Sequence, residues 1–131
     1  MKLMVNKVLV AQGIYYSLTA LWPLVHIESF MFITGPKHDI WLVKTVGILL
    51  LCSGISFMIS GCGKNRPENA ILFLALSEAI GMTYVDTYYS LTDTISSIYL
   101  ADAIAEIILI MLIIIYYPHN LHSNDREKKF R

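Results

Sequence analysis

Charged side chains are scarce in this sequence, and several functional signatures are missing from it. Only 15% of the 131 residues are Asp, Glu, Lys or Arg, and the formal net charge is zero. The sequence contains no phosphate-binding loop, no dinucleotide fingerprint, no HExxH or CxxC motif, and no basic surface interleaved with aromatic residues. We therefore expect no cofactor and no nucleic-acid partner.

Cysteine is also rare, because the chain carries only Cys52 and Cys62. Along one predicted helix these two positions are separated by about 15 Å, which is too far for a disulfide between them. The sequence therefore excludes an intrachain disulfide scaffold. We interpret Cys52 as a small apolar side chain within a helix and Cys62 as a reduced thiol.

Hydrophobic residues make up 56% of the chain, more than a soluble domain of this length could enclose. Because helices satisfy their own backbone in lipid and the apolar stretches lack the alternation of barrel strands, the sequence predicts an all-α integral membrane four-helix bundle. The predicted helices, each near the ~20 residues that span a bilayer, are 4–25, 40–61, 69–90 and 95–117. We expect this domain over residues 1–117 and a polar cytoplasmic tail over residues 118–131.

The distribution of lysine and arginine predicts the orientation of the bundle. With a cytoplasmic N-terminus, eight basic residues lie inside and only Lys37 and Lys44 lie outside. The eight are Lys2, Lys7, Lys64, Arg66, Arg126, Lys128, Lys129 and Arg131. Both termini are therefore expected in the cytoplasm. We expect the first stretch to be a retained helix, because LTALWPLVH offers bulky residues where a signal-peptide cleavage site needs small ones.

Proline, glycine and aspartate mark the expected ends of the helices. Pro23 is expected to kink or end the first helix, and the segment 26–39 is too polar to span but able to lie in the outer interface. Asp39 is a candidate N-cap, and Pro67 suits the first position of the third long helix. The very short loop at 91–94 predicts that the last two helices form an antiparallel hairpin.

A glycine stripe in the second long helix is the clearest packing signal. Gly47, Gly54 and Gly61 recur every seven residues, so they should lie on one face that a neighbouring backbone can approach closely. Lys44, three residues before Gly47, is expected either to face the bundle or to snorkel to the headgroups.

Two carboxylates interrupt the most apolar stretch, LADAIAEIILIMLIIIYY. Asp102 and Glu106 lie four residues apart and so share one helical face. A rise of about 1.5 Å per residue places Glu106 at the same depth as Glu78, near mid-membrane, where Gln12 is a candidate to join them. Asp86 falls about one turn below the outer end of its helix, in the same outer layer as Asp102.

These acids outnumber the bases available to neutralise them. Lys44 is the one lysine expected in the outer layer, so most of the negative charge must be cancelled by protons, a bound cation or water in a cavity. Each acid at a helix centre costs about 3 kcal/mol of insertion free energy, which makes a functional role the default hypothesis. The alternative is that the acids only form hydrogen bonds between helices, at about 1 kcal/mol per hydrogen bond, or that the Asp86 side chain reaches the membrane interface.

A metal site is the weaker interpretation of the outer loop. His26, Glu28, His38 and Asp39 could meet as ligands, but an interfacial loop commonly carries such residues as solvated groups. We predict no metal site.

The segments AQGIYYSLTALWPLVHIESF, TGPKHDIWLVKTVG and VDTYYSLTDTISSIYLADAIAEIILI resemble a family of small, uncharacterised four-helix membrane proteins of bacteria. The resemblance spares the cytoplasmic loop and the tail. It implies a compact bundle in the bacterial inner membrane, and it carries no activity or cofactor that could be transferred.

Three hypotheses for function follow from these features. The first is a bundle that binds or conducts a proton, a cation or a small cationic or lipophilic ligand entering from the outside. The second is a structural or accessory membrane subunit, and the third is a membrane-embedded acid/base enzyme acting on a lipid-soluble substrate. We favour the first and leave homo-oligomerisation open. The candidate ligand- or proton-binding residues are Glu78, Asp86, Asp102, Glu106 and Lys44, with Gln12, Tyr84 and Tyr88 as supporting polar residues.

Overall fold

The computed structural model describes residues 2–117, and these form five α-helices without a β-strand. The helices are α1 (Lys2–Val25), α2 (Ile27–Thr34), α3 (Ile40–Gly61), α4 (Asn69–Leu91) and α5 (Tyr99–Tyr116). The predicted all-α class is therefore confirmed. The predicted tail at 118–131 lies outside the described residues.

Four of the five helices, all except α2, are long and apolar enough to cross a membrane. Their outward faces carry large apolar side chains, among them Leu18, Leu49, Phe73 and Ile115, that remain exposed in the isolated chain. Apolar exposure on this scale would be unfavourable in water and is expected where a helix faces lipid. The fold is a helical bundle whose four long apolar helices are compatible with a membrane protein.

Two prolines lie near helix ends: α1 ends at Val25 and α4 begins at Asn69, both as predicted, but Pro67 is not the first helical residue. Pro23 lies inside α1, which continues for two more residues to Val25 because a proline this close to the end disturbs only the last turn. Pro67 precedes α4 and does not begin it. Glu68 keeps an extended backbone (φ −64°, ψ 148°) as the N-cap, so the first helical residue is Asn69.

The hairpin of α4 and α5 forms as predicted, although its loop is longer. The backbone amides of Thr94 and Ile95 both donate to the carbonyl of Tyr89, and these bonds close the end of α4. Because the chain is held there, α5 starts at Tyr99 and not at Ile95. Asp93 adopts a left-handed backbone (φ 56°) within this loop.

The outer-loop segment of the prediction contains the short helix α2. His26 begins it, since its Nδ1 accepts a hydrogen bond from the Ser29 amide at 3.1 Å. Gly35 ends it with φ 91°, a conformation that favours glycine. Trp22 donates to the Ser29 hydroxyl at 2.9 Å and packs edge-to-face on Phe30, so α2 folds back on the end of α1. We call this side of the bundle the α2 end and the opposite side the Arg66 end.

The glycine stripe of α3 packs against α1, as predicted. Gly47, Gly54 and Gly61 are all buried. A Cβ atom on Gly54 would lie 2.6 Å from the Ser17 hydroxyl and 2.8 Å from the Gly13 carbonyl, both on α1. Gly13 therefore completes a contact in which two helix backbones approach each other closely.

The bundle consists of two helix pairs joined through α1. Helix α1 packs most extensively on α3, α4 packs on α5, and the pairs meet mainly where α1 contacts α5. The buried amide of Gln12 donates to the Ala75 carbonyl at 2.9 Å and so ties α1 to α4. Tyr16 and Phe57, which are fully buried, pack together at the centre of the core.

Candidate functional site

A cavity of about 410 Å³ lies between the helix pairs at the α2 end of the bundle. Side chains of α1, α3, α4 and α5 form its walls, and most of them are apolar. Its polar lining consists of Tyr15, Tyr16, Thr19, Lys37, Tyr99, Asp102 and Glu106. An apolar cavity of this size with a few convergent polar groups is typical of a small-molecule site.

Two tyrosines of α1 reach the two acids of α5. The Tyr16 hydroxyl donates to Glu106 Oε2 at 3.0 Å, and the Tyr15 hydroxyl donates to Asp102 Oδ1. The pairing follows from helix geometry, because Asp102 and Glu106 are one turn apart on one face. Glu106 is only 1% exposed, whereas Asp102 is partly buried. Both carboxyl groups face the cavity.

The other two predicted acids lie on α4, beside the cavity and not in its lining. Glu78 Oε1 accepts a hydrogen bond from the Ser53 hydroxyl of α3 at 2.7 Å. Asp86 is 2% exposed. Glu78 Oε2 and Asp86 Oδ2 are buried and have no hydrogen-bond partner among the described residues. These oxygens are open acceptors inside the bundle.

All four acids are close enough to interact electrostatically. The carboxyl group of Glu106 experiences the charges of Asp102, Asp86 and Glu78. We call Glu78, Asp86, Asp102 and Glu106 the interior acidic cluster. Within residues 4–117 no lysine or arginine forms an ion pair with any member of it. Like charges without a counter-ion are unfavourable in free energy in a water-poor interior. This cluster therefore favours protonation of its carboxyl groups or the binding of a cation.

Lys44 does not supply the missing positive charge. Its side chain is exposed on α3, so the expectation that it faces the bundle is wrong, and the alternative of snorkelling fits its position. A spacing of three residues leaves Lys44 about 60° away from Gly47 around the helix axis. That rotation is enough to turn a long side chain away from α1.

Lys37 is a cavity residue that the sequence did not reveal. It follows the turn at Gly35 and lines the cavity together with Asp102 and Glu106. Its Nζ atom lies 5.1 Å from the centre of the Tyr99 ring and donates to the Thr34 carbonyl at 3.1 Å. No residue pattern distinguishes it from an ordinary loop lysine. The loop brings it to the cavity only because α2 folds back on α1.

The predicted supporting residues occupy different places. Gln12 is fully buried, but the bond that it donates goes to a backbone carbonyl of α4, and its Oε1 atom has no partner in the described part of the chain. Tyr84 and Tyr88 are exposed and stack on each other with ring centres 5.8 Å apart. The hydroxyls that bond the acids come from Tyr15, Tyr16 and Ser53. No pattern in the sequence distinguishes Tyr15 or Ser53 as a partner of the acids.

The histidines and acids of the outer loop do not form a metal site in the structure. No group of three or more His, Cys, Asp or Glu side chains within the described residues is arranged to hold a metal ion. His26 uses its Nδ1 to cap α2, which accounts for one of the four side chains.

Comparisons with known protein families, with curated proteins and with solved structures found no match to this chain. The chemical character of the site rests on the cavity and on the two acids that line it.

Proposed function

We propose that this is a multi-pass protein of the bacterial inner membrane, with both termini in the cytoplasm, that binds a small lipophilic cation in the cavity at the α2 end. The excess of lysine and arginine at the Arg66 end supports this orientation, which places the cavity toward the outer face. One observation carries the proposal: Asp102 and Glu106 line an apolar cavity, and no lysine or arginine among the described residues pairs with either.

The two parts of the cavity select the same class of ligand. Its apolar walls favour a ligand with hydrocarbon surface, since burying that surface contributes about 25 cal/mol per Å². Its carboxyl groups favour a positive charge, because an ionised carboxylate in a low-dielectric interior is strongly destabilised until it is paired. An organic ammonium ion satisfies both requirements. When the cavity is empty, protons take the place of that cation on the acids.

The tyrosines prepare the acids for this exchange. A hydroxyl that donates to a carboxylate stabilises its charged form and fixes its rotamer. Tyr15 and Tyr16 therefore hold Asp102 and Glu106 toward the cavity whether the positive partner is a proton or a ligand.

Calorimetry of the purified full-length chain in detergent tests the proposal. The probes are benzyltrimethylammonium and its neutral carbon isostere neopentylbenzene, with titrations into protein-free micelles subtracted. We expect the cation to bind at least about tenfold more tightly than the isostere. Equal binding of the two compounds would overturn the proposal, because the acids would then contribute nothing.

Two variants test whether the preference for the cation over its neutral isostere arises from the acids of the cavity. Glu106→Gln keeps the shape and the acceptor for Tyr16 but removes one of the two charges that line the cavity, so we expect it to reduce the preference for the cation. Asp93→Asn is the matched control, because it removes an acid from the exposed loop and asparagine tolerates the left-handed backbone there. The control is expected to keep the preference.

A second candidate, a structural subunit, is favoured by the hydrogen bonds themselves. Tyr15 and Tyr16 link α1 to α5 through the acids, and Ser53 links α3 to α4 through Glu78. If these bonds are the whole role of the acids, the wild type binds both probes equally, and Glu106→Gln keeps the thermal stability that Glu106→Leu loses.

A further inference from the structure

A second cavity lies at the Arg66 end, on the outside of the α4–α5 hairpin. Its volume is about 290 Å³ and its lining is mainly apolar. It is bounded by Asn69, Leu72, Phe73, Leu76, Ile113, Ile114 and Tyr117, and we call it the α4–α5 groove. Phe73 and Ile114 are 73% and 54% exposed, so the groove opens toward the surroundings of the bundle. It shares no lining residue with the cavity of the acidic cluster.

Arg66 stands at the end of this groove. Its Nη2 donates to Asn69 Oδ1 at 2.6 Å, and its guanidinium lies 5.9 Å from the centre of the Tyr117 ring. Its Nε is buried and has no hydrogen-bond partner among the described residues. Glu68, two residues away, is exposed and forms no ion pair with it. The guanidinium is thus held in place by Asn69 and the Tyr117 ring, and its charge is unpaired within the described chain.

The geometry points to an anionic phospholipid as the occupant, with its phosphate on Arg66 and one acyl chain in the α4–α5 groove. A guanidinium presents donors that match phosphate oxygens, and the unpaired charge favours a headgroup with net negative charge. The groove supplies the apolar surface that an acyl chain needs and a free phosphate does not.

The depth of Arg66 agrees with this occupant. Helix α4 begins at Asn69 and α5 ends at Tyr116, so Arg66 lies just beyond both helix ends. In a spanning bundle this is the level of the lipid headgroups, and the neighbouring side chains of the groove lie at the level of the acyl chains. The site goes beyond the proposed function, since it involves none of the acids and stands or falls independently of cation binding.

Native mass spectrometry of the full-length chain in detergent tests the site. The probes are dioleoyl phosphatidylglycerol and dioleoyl phosphatidylcholine, which carry the same acyl chains on anionic and zwitterionic headgroups. We expect tighter binding of the anionic lipid to the wild type, and about tenfold weaker binding of that lipid to Arg66→Gln. Lys64→Gln is the matched control, because Lys64 is an exposed cation of the same loop, and we expect a change of about twofold or less.

Two further measurements separate the headgroup from the chain. Ile114→Trp fills the groove and is expected to weaken binding of the anionic lipid, whereas Ile108→Trp, an exposed position of α5 outside the groove, is expected to leave it unchanged. Inorganic phosphate at equal concentration is expected not to displace the lipid. These measurements test the site even if Arg66→Gln fails to fold.

Four results would overturn the inference. Equal binding of the two lipids would remove the role of Arg66 as a headgroup site. An equal loss in Lys64→Gln and Arg66→Gln would show attraction by general charge and not by a site. Displacement by inorganic phosphate, or an unchanged affinity in Ile114→Trp, would show that the groove holds no acyl chain.

Discussion

The hydroxyl of Tyr16 donates a hydrogen bond to Glu106 across 3.0 Å, and both side chains are only 1% exposed. This bond joins the helix that packs on α3 to the helix that packs on α4. It therefore serves two purposes at once. It connects the two helix pairs, and it holds a carboxyl group at the wall of the cavity.

Removing this hydroxyl should weaken the bundle. Tyr16→Phe keeps the ring that packs on Phe57 but leaves a buried oxygen of Glu106 without its donor, so we expect a loss of about 1–3 kcal/mol in the free energy of unfolding. Thermal unfolding in detergent measures the change. Tyr84→Phe, which removes a hydroxyl from an exposed ring, is the control and should be neutral. Equal melting of all three proteins would contradict the prediction.

The close contact between α1 and α3 should not tolerate a methyl group. Gly54→Ala places a Cβ at 2.8 Å from the Gly13 carbonyl, and backbone cannot move aside as a flexible side chain can. We expect the variant to be destabilised by about 1–3 kcal/mol. Gly81→Ala is the control, because a Cβ there would meet nothing within 4 Å apart from its chain neighbours and the backbone of its own helix. Since alanine favours helix over glycine, this control should be neutral or more stable by up to about 1 kcal/mol.

Lys37 should oppose the binding of a cationic ligand. Its ammonium group lines the cavity with Asp102 and Glu106, so its charge repels a second cation there. Lys37→Gln is expected to raise the affinity for benzyltrimethylammonium roughly fivefold, without changing the affinity for neopentylbenzene. Lys44→Gln removes an exposed lysine of α3 and should have no such effect. A decrease in affinity, or equal gains in both variants, would be incompatible with this role.

Protons should compete with the cation for the same carboxyl groups. Raising the pH removes protons from the competition, so the affinity for benzyltrimethylammonium should increase with pH, by about tenfold per pH unit where one proton is displaced. Calorimetry at several pH values, in buffers of different ionisation enthalpy, measures the proton released. The slope should be smaller in Glu106→Gln and unchanged in Asp93→Asn. An affinity that does not vary with pH would show that no proton is exchanged.

The orientation that we propose for the bundle predicts which thiols are accessible from outside the cell. Cys62 is exposed at the Arg66 end, so in a Cys52→Ser background a membrane-impermeant maleimide should label it only after the membrane is opened. A Thr92→Cys, Cys52→Ser, Cys62→Ser variant presents its thiol in the loop between α4 and α5 and should be labelled in intact cells. The reverse pattern would place the cavity on the cytoplasmic side.

Much of the fold could be predicted because it depends on local composition. The predicted range 40–61 matches α3, and the predicted range 69–90 matches α4 to within one residue. The stripe of Gly47, Gly54 and Gly61 identified the face of α3 that packs on α1. The start of α5 could not be predicted, since hydrogen bonds from the loop to Tyr89 determine it.

Of the candidate site, only the acids could be predicted from the sequence. Spacing and depth identified Asp102 and Glu106, which share a helical face whatever surrounds them. Their partners came from other helices. Tyr84 and Tyr88 were equally plausible donors by depth, but the rotation of α4 turns them outward, while that of α1 brings Tyr15 and Tyr16 inward.

The sequence by itself determined that this protein is helical, that it is apolar enough to enter a membrane, and that it carries acids within its apolar helices. Each of these three properties follows from residue type and periodicity along one helix. Only the tertiary structure decided that Lys37 reaches the cavity, that Lys44 does not, and which hydroxyls bond the acids. Those outcomes depend on the rotation of each helix about its own axis. Packing against neighbouring helices sets that rotation, and no local stretch of sequence specifies it.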